Sequence, residues 1–449
     1  MSAASRGADC GATIEGGLVY CLMAYHFPPD TSAGAVRARG LAKALADAGN
    51  EVHVFTRASG PSDPEGYSVH VVPGQQVGDG VKRAVGVTPG TSLRSGLRGR
   101  PSRAVAWLLH FGREWLLYPD DARAWARRCA MAVIAWGVTG RPDVVVSTAP
   151  PWSVHVAAWR VRQHSVGKIW VADWRDLWTA NPHYDFGRFR RRRDARLERR
   201  LLDDADAVTV TTRDMGIMLA KAYPDVHVVP VYNGYDERRF AHNRDRSGDN
   251  TRLTITYAGY LYEGKRSVVP LLKTVSELIA DGRIDRTRMC LQFAGPPDAK
   301  LVATVEELGL DDVVRLRGVV PRLEIPKLLE DSDVLLVIMW DSVLEASLVP
   351  AKTFEYIEAD RPILALRCAP SSELGRLLSY TRTGVCVEHD DDIATVVLDL
   401  YRRFVSVGSV RVEPDLETLR RFTHSHMAAE FDRISRLLLE GTGTGRLDS

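Results

Sequence analysis

Short apolar runs rich in β-branched residues recur along the chain, and most are followed by a segment whose apolar positions have helical spacing. Runs of this length without polar alternation are typical of strands that are buried on both faces of a parallel sheet. Strands that alternate with helices predict an α/β fold. The runs are Leu18–Met23, Glu51–Thr56, Asp143–Thr148, Lys168–Ala172, Ala207–Thr211, Val226–Tyr232, Leu253–Ala258, Leu291–Gly295, Val314–Gly318, Val334–Met339 and Ile363–Leu366.

The first two runs and the segment between them predict a strand, a loop, a helix and a second strand. This order is typical of the start of a Rossmann-like domain. Its helix is predicted from Val36, Leu41 and Leu45, and Gly49 closes it as a C-cap. No G-x-G-x-x-G follows the first strand, so the dinucleotide fingerprint is missing.

The length of 449 residues is enough for two or three domains that each bury a core. We expect a second Rossmann-like domain to begin at the strand Leu253–Ala258, after a polar linker. The expected divisions are a disordered N-terminus over 1–17, a first Rossmann-like domain over 18–240, a linker over 241–252, a second Rossmann-like domain over 253–415, and a C-terminal helix and tail over 416–449.

Bulk composition excludes several classes of protein. The net charge of +2 gives no case for a nucleic-acid partner. The six cysteines show no CxxC or Cys/His spacing, which indicates free thiols in a reducing compartment and no structural zinc. The N-terminus lacks the apolar core of a signal peptide, and no apolar run is long enough for a membrane span. We expect a cytoplasmic protein.

The stretch Asp341–Pro362 has the features of an anion-binding site. It follows the buried run Val334–Met339, and Pro350 stands where a loop gives way to a helix. A helix that starts after such a loop presents unpaired backbone N–H groups and the positive end of its dipole. Glu345 and Glu355 add acceptors for hydroxyl groups. A phosphate held by amides beside a carboxylate predicts nucleotide binding.

Two further strand ends carry candidate side chains. Asp173 and Asp176 follow the run Lys168–Ala172, and ligands of open parallel sheets bind at the carboxyl ends of strands. These carboxylates are candidates for acid/base work or for binding an acceptor hydroxyl; the alternative is that Arg175 between them simply pairs with one. After Leu253–Ala258, the turn at Gly259 lets backbone approach a diphosphate, and Lys265 supplies a positive charge.

Two segments could meet an anionic surface. Arg188–Arg200 is the one strong cluster of positive charge, and Ala104–Gly137 is a helical region with aromatic residues near one face. A basic or aromatic face of this kind can contact lipid, so peripheral membrane contact is a hypothesis. The alternative, which we favour for both segments, is a helix face that packs on its own domain or is solvated. The aromatic and apolar residues of the second segment are Trp107, Leu108, Phe111, Trp115 and Leu116.

Residues Pro350–Ala365, P-A-K-T-F-E-Y-I-E-A-D-R-P-I-L-A, resemble the donor-site signature of retaining GT-B glycosyltransferases of the family-4 type. The resemblance extends over about residues 18–437. It implies two Rossmann-like domains that face each other across a cleft, with a C-terminal helix that crosses back to the first domain. It also implies a nucleotide-sugar donor.

The resemblance assigns roles to individual positions. Glu355 corresponds to the glutamate that binds the ribose, and Glu345 to the one near the donor sugar, although the gap between them is nine residues where seven is usual. Arg266 is expected to point away from the diphosphate. The remaining implied positions are Ser347, Leu348 and Val349 at the sugar and phosphate, Gly34, Gly259, Tyr260 and Lys265 at the diphosphate, Val320 at the nucleobase, and Asp173, Asp176, His155 and Trp178 on the acceptor side.

The sequence thus predicts a retaining bacterial glycosyltransferase that moves a sugar from a UDP- or GDP-sugar to a small molecule, a natural product or a lipid-linked saccharide. No D-x-D pair follows a strand in the right place, so we expect no cofactor and no metal, with Lys265 and backbone amides stabilising the leaving diphosphate. Two alternatives stay open: a nucleotide-sugar epimerase of the same fold, and a nucleotide-sugar binder without activity.

Overall fold

The computed structural model describes residues 16–57, 66–74, 118–181, 184, 186–240, 251–261, 266–340 and 342–441. The chain divides into two compact units. The first unit is Met1–Val210, Leu219–Val231 and Met427–Ser449, and the second unit is Thr211–Met218 and Tyr232–His426. Lys265, Trp107–Leu116 and most of the predicted linker 241–252 lie outside the described residues.

The strands and helices alternate along the described chain. The strands are β1 Val19–Ala24, β2 Glu51–Thr56, β3 Ser68–Val71, β4 Val144–Ala149, β5 Ile169–Trp174, β6 Ala207–Val210, β7 Val228–Pro230, β8 Leu253–Ala258, β9 Met289–Ala294, β10 Val314–Gly318, β11 Val334–Ile338, β12 Ile363–Leu366 and β13 Gly384–Val387. The helices are α1 Ala33–Asp47, α2 Arg123–Gly140, α3 Ser153–Gln163, α4 Arg188–Asp204, α5 Arg213–Ala222, α6 Glu237–Phe240, α7 Val269–Ala280, α8 Ala299–Glu307, α9 Ile325–Glu330, α10 Val343–Ala346, α11 Lys352–Glu358, α12 Glu373–Thr381, α13 Ile393–Val407, α14 Leu416–Leu419 and α15 His424–Leu439.

Each unit is built on one parallel sheet, which confirms the predicted α/β class. The sheet of the first unit has the order β3-β2-β1-β4-β5-β6-β7, and that of the second unit has the order β10-β9-β8-β11-β12-β13. The order reverses between β1 and β4 in the first sheet and between β8 and β11 in the second. Ligands of doubly wound sheets bind outside the carboxyl ends of the strands at such switch points.

The sheet of the second unit is buried on both faces. Side chains of β11 alternate between two apolar clusters: Val334, Leu336 and Ile338 belong to one, and Leu335 and Val337 belong to the other. Successive strand residues point to opposite faces, so a strand covered on both sides must be apolar at every position. This explains why the run 334–338 shows no polar alternation.

The C-terminal helix α15 packs into the core of the first unit, as predicted. Met427, Phe431 and Ile434 lie in the same apolar cluster as Tyr20 of β1. The predicted single helix Leu416–Leu439 is wrong in one respect, because the structure breaks it before α15. The backbone at Thr423 is extended, and the flanking residues exchange hydrogen bonds with Tyr235: the Tyr235 N–H donates to the Phe422 carbonyl at 2.9 Å, and the His424 N–H donates to the Tyr235 carbonyl at 2.9 Å.

The predicted first helix is confirmed. In α1 the side chain of Ser32 accepts a hydrogen bond from the Ala35 N–H, which caps the start of the helix. At its end Gly49 adopts a φ of +88°, a left-handed conformation that glycine reaches at little steric cost. The sequence therefore located the end of this helix at Gly49, and the structure showed its start at Ser32.

Candidate functional site

The carboxyl end of β8 holds a half-buried lysine that comes from α11. The Lys352 Nζ donates a hydrogen bond to the Ala258 carbonyl at 2.8 Å and lies 4.0 Å from the centroid of the Tyr257 ring. Gly259 has a φ of +137°, and a Cβ at this position would lie 2.7 Å from the Lys352 Nζ. A larger residue at 259 would therefore be strained and would also push against the ammonium group.

The ends of three neighbouring strands are joined by backbone hydrogen bonds between glycine segments. The Gly259 N–H donates to the Ala294 carbonyl at 2.8 Å, and the Gly295 N–H donates to the Gly318 carbonyl at 2.8 Å. A Cβ at Gly295 would overlap the carbonyl oxygen of Gly259. The glycines at the ends of the predicted strands thus allow close backbone approach along this edge of the sheet.

Each of the two predicted glutamates is paired with an arginine. Glu345 in α10 faces Arg266, whose Nη2 lies 3.3 Å from both carboxylate oxygens. Glu355 in α11 is held by Arg322, whose Nη1 and Nη2 donate at 2.8 and 2.5 Å. Arg266 thus faces Glu345 in this structure, and the expectation that it points away from the diphosphate stays a prediction.

Lys352 is different, since no carboxylate pairs with it anywhere in the described part of the chain. Its neighbours are a carbonyl and an aromatic ring, and both nearby glutamates are engaged by arginines. Desolvation and, to a lesser extent, Arg266 lower the pKa of Lys352 to about 7, although Glu355 and Glu345 oppose the change. Its ammonium is therefore only partly charged at neutral pH.

The loop between the two glutamates uses much of its own hydrogen-bonding capacity. The N–H groups of Ser347 and Leu348 donate to the carbonyls of Leu344 and Glu345 at 3.0 and 3.1 Å. The Ser347 hydroxyl is buried and donates to the Leu344 carbonyl at 2.7 Å. Val349 is buried as well. Contacts of these residues with a sugar or phosphate stay a prediction.

Two other predicted donor residues lie at the surface of the same edge. Tyr260 is 62% exposed, and its carbonyl accepts a hydrogen bond from the Tyr257 hydroxyl at 2.7 Å. Val320, which follows β10, is partly exposed. Both positions are accessible to a ligand at the strand ends, and their roles stay predictions.

In the first unit, Asp173 at the end of β5 is fully buried and fully bonded. It accepts from Arg37 Nε at 3.0 Å and Nη2 at 2.8 Å, and from the hydroxyls of Thr148 and Thr209 at 2.8 and 2.9 Å. Burial alone would raise the pKa of Asp173, but Arg37 and the two hydroxyls hold it below its ordinary value. The pairing partner is thus Arg37 and not Arg175, and the carboxylate presents no free oxygen to an acceptor.

Asp176 lies beyond the end of β5 and is exposed to solvent. The Arg175 guanidinium donates to the Pro150 carbonyl and fills the space beside Gly34. Gly34 lies in the first turn of α1 and not in a loop, and a Cβ there would overlap the guanidinium. The absence of a side chain at 34 thus accommodates Arg175 in this structure.

The two remaining acceptor-side candidates are buried. His155 is fully buried; its Nδ1 lies 2.8 Å from the Ser147 hydroxyl oxygen, and burial lowers its pKa to about 3. Trp178 is 4% exposed and stacks on Trp152, with ring centroids 5.1 Å apart and planes within 5°. Neither side chain offers much surface to an acceptor in this conformation, so both roles stay predictions.

The helix α4 carries the predicted cluster of arginines. Arg190 is buried and paired with Asp194, while Phe189 is 78% exposed. Arg188, Arg191, Arg192, Arg193, Arg196 and Arg200 are exposed. This face is positively charged and open to solvent, and its contact with an anionic surface stays a prediction. None of the helices in the described ranges is long and apolar enough to cross a membrane.

Lys352, Arg322 and Arg37 were not predicted as site residues. Lys352 had a sequence signal, because it precedes Glu355 by three positions and residues with this spacing share one face of a helix. Arg322 and Arg37 gave no comparable signal. Arg322 meets its glutamate across 33 positions of the chain, and Arg37 meets Asp173 across 136.

Part of the chain is similar in sequence to a known family of protein domains. Residues 32–234 match the model of the glycosyl transferase 4-like domain. A comparison with curated protein sequences gave no significant match.

Several solved structures share the fold over nearly the whole chain. Sucrose-phosphate synthase from Thermosynechococcus elongatus has a TM-score of 0.63 at 14% identity, covering 94% of this chain and 100% of that one. Trehalose 6-phosphate synthase from Burkholderia multivorans has 0.57 at 12%, covering 95% and 100%. A putative UDP-N-acetylglucosamine 2-epimerase from Listeria monocytogenes has 0.51 at 12%, covering 95% and 97%. The chain therefore has the GT-B fold, which both transferases and epimerases use.

Proposed function

We propose that the chain is a glycosyltransferase that moves a sugar from a nucleotide-diphospho-sugar to a small-molecule, natural-product or saccharide acceptor. The second unit binds the donor. The observation that carries the proposal is the arrangement of Glu345 and Glu355 in segments that follow the carboxyl ends of the second sheet, each beside an arginine that follows another strand end. The match of residues 32–234 to a glycosyl transferase domain supports the same reaction class.

In this proposal Glu355 accepts hydrogen bonds from the ribose hydroxyls, and Glu345 lies near the donor sugar. Carboxylates are strong acceptors for such hydroxyls, because a hydrogen bond to a charged group is roughly twice as strong as a neutral one. The segment from Ser347 to Val349 lies beside sugar and phosphate, and the backbone near Val320 contacts the nucleobase. Gly259 and Lys265 belong to the diphosphate end.

The chemistry requires stabilisation of a leaving nucleoside diphosphate, which gains about one negative charge as the bond to the sugar breaks. Positive groups at the strand ends supply that stabilisation without a metal. We propose retention of configuration, with the acceptor proton passing to the departing phosphate. Of the two predicted acceptor carboxylates, Asp176 is the exposed one, so it orients the acceptor hydroxyl while Asp173 holds the first unit together.

The test is a thermal-shift panel of UDP, GDP, ADP, CMP and dTDP, each with and without EDTA. A ligand at about 100 times its Kd adds about 2.7 kcal/mol to the free energy of unfolding, which raises Tm by a few degrees in a protein of this size. We expect one nucleoside diphosphate to stabilise the protein equally with and without EDTA. No shift with any of the five would contradict the proposal.

The second candidate is a nucleotide-sugar epimerase, because a putative epimerase shares the fold at a TM-score of 0.51. The two functions differ in their products. A transferase releases nucleoside diphosphate only when an acceptor is present, whereas an epimerase converts the nucleotide sugar alone. Incubation with donor only, followed by chromatography of the nucleotide sugars, separates them. A third candidate, a binder without activity, would leave the nucleotide sugar unchanged with every acceptor.

A further inference from the structure

Lys352 is a half-buried cation without a counter-charge among the described residues. Its Nζ touches the Ala258 carbonyl and the face of Tyr257, and no ion pair involves it in the described ranges. The two carboxylates that reduce its electrostatic penalty, Glu355 and Glu345, are each already bonded to an arginine. The local charges on these groups leave an excess of one positive charge when Lys352 is protonated.

Such a cation is unfavourable in the free protein. Removing an ammonium from water is expensive unless a charge and hydrogen bonds replace the lost solvation. One carbonyl and one aromatic face replace only part of it. An apolar side chain of similar length would fill the same space without this penalty, so packing alone gives no reason for a lysine here.

The position of the ammonium group indicates which kind of ligand would supply the missing negative charge and hydrogen-bond acceptors. Lys352 Nζ lies against Gly259 at the carboxyl end of β8, next to the point where the strand order of the second sheet reverses. Two of its three N–H donors have no partner among the described residues. A group that brings negative charge and several acceptor oxygens to this strand end satisfies both the charge and the donors.

We propose that Lys352 binds the diphosphate of the nucleotide donor and stabilises it as the leaving group. This inference rests on the proposed function and goes further, because it assigns the diphosphate to a residue of the α11 helix. Arg266 stays paired with Glu345 beside it, so the excess charge belongs to Lys352. Lys352 also stands three positions before Glu355 on the same helix, so one helix face would bind both ribose and diphosphate.

If Lys352 binds the diphosphate, its titration makes the Kd of the donor depend on pH. Burial lowers the pKa of this lysine to about 7, and an anion bound beside it would raise that pKa again. Binding therefore takes up a proton whenever the lysine is neutral in the free protein. Between about pH 6 and pH 8 the Kd of the donor should rise about tenfold, since a tenfold smaller fraction of the protein carries the charge.

The experiment measures the Kd of a nucleotide sugar at these two pH values by isothermal titration calorimetry. The probes are UDP-glucose, GDP-mannose, ADP-glucose and dTDP-glucose, whose diphosphates do not titrate in this range. The variants are Lys352→Met, which keeps length and packing, and Lys352→Arg, which keeps the charge at every pH. Lys327→Met is the matched control, because Lys327 is an exposed lysine of the same unit, paired with Asp331 at 2.9 Å.

We expect K352M to weaken binding by about 10- to 100-fold at the lower pH and to abolish the pH dependence. K352R should bind with no pH dependence, and K327M should match the wild type. The Tm of unliganded K352M should be equal to or above that of the wild type, because the unfavourable buried charge is gone. A merely structural lysine would lower that Tm instead.

Two outcomes are distinguishable. Wild-type protein that binds a nucleotide sugar while K352M binds it with the same Kd and the same pH dependence overturns the role of Lys352 and leaves the proposed function intact. Wild-type protein that binds none of the four nucleotide sugars overturns the proposed function, and the inference with it.

Discussion

Arg37 of the first unit and Lys352 of the second are both cations at the carboxyl ends of a parallel sheet, but Arg37 is buried, Lys352 is half-buried, and their surroundings differ. Arg37 forms two hydrogen bonds with Asp173, at 3.0 and 2.8 Å, and donates to the Val231 carbonyl at 3.0 Å. Lys352 has one carbonyl and one aromatic ring. The first cation is compensated within the protein, and the second is not.

This difference separates a structural ion pair from a binding group. A buried pair that satisfies all its lone pairs and protons holds segments together and has nothing left for a ligand. A buried cation without a counter-charge raises the free energy of the unliganded protein, and a ligand can recover that energy. The same contrast separates Asp173, whose oxygens are all engaged, from Asp176, which is exposed.

The largest effect is expected when the compensated pair is broken. Arg37→Met leaves the Asp173 carboxylate buried with only the hydroxyls of Thr148 and Thr209. The free energy of unfolding should fall by about 3–5 kcal/mol, as measured by urea denaturation. Arg192→Met, which changes an exposed arginine of α4, is the control and should alter it by less than about 0.5 kcal/mol.

A double variant sharpens this test. Replacing both partners, as in Arg37→Met with Asp173→Leu, removes the uncompensated charge and should recover much of the loss. If R37M alone is as stable as the wild type, the pair does not hold the first unit together, and the contrast with Lys352 fails.

A smaller effect, on binding and not on stability, is expected at Glu355. Glu355→Gln removes the negative charge of the proposed ribose acceptor and replaces one carboxylate oxygen with an NH2 group, so the Kd of the nucleotide sugar should rise by about 10- to 100-fold. The free energy of unfolding should change by less than about 1 kcal/mol, because the pair with Arg322 is partly exposed to solvent. Calorimetry and urea denaturation measure the two quantities.

The exposed Glu324 supplies the control, since Glu324→Gln should change neither quantity. Loss of stability in E355Q with an unchanged Kd would assign the Arg322–Glu355 pair to structure, and the distinction between the two units would then disappear.

Per pH unit, the smallest change in the free energy of unfolding is expected from the titration of Lys352. Lys352 has a lowered pKa in the folded state, about 7 against an ordinary value near 10.4 when unfolded, so the unfolded chain holds more protons between these values. The stability of the wild type relative to K352M should therefore rise from about pH 7 to about pH 10, by at most about 1.4 kcal/mol per pH unit.

Urea denaturation of both proteins at several pH values in this interval gives the difference, in which the titration of all other groups cancels. A difference that stays constant with pH would show that Lys352 is fully charged in the folded protein, as a cation with an internal partner would be.

The sequence was sufficient to predict the α/β architecture, because strands and helices produce recognisable local patterns of residues. The run 334–338 is apolar at every position since both faces of its strand are covered, and Gly49 marks the end of α1 by capping chemistry. It was also sufficient to select the stretch around Glu355, because a strand, a proline and a helix follow one another there. These features depend on neighbours in the chain.

Only the tertiary structure decided which charges are compensated. The sequence does not distinguish the carboxylates Asp173, Glu345 and Glu355 by their partners, because Arg37, Arg266 and Arg322 come from distant segments. The sequence placed a lysine three positions before Glu355, yet it could not reveal that this lysine lies against Ala258 without a carboxylate. Burial and partner distance set the free energy of a charge, and both are properties of the folded chain.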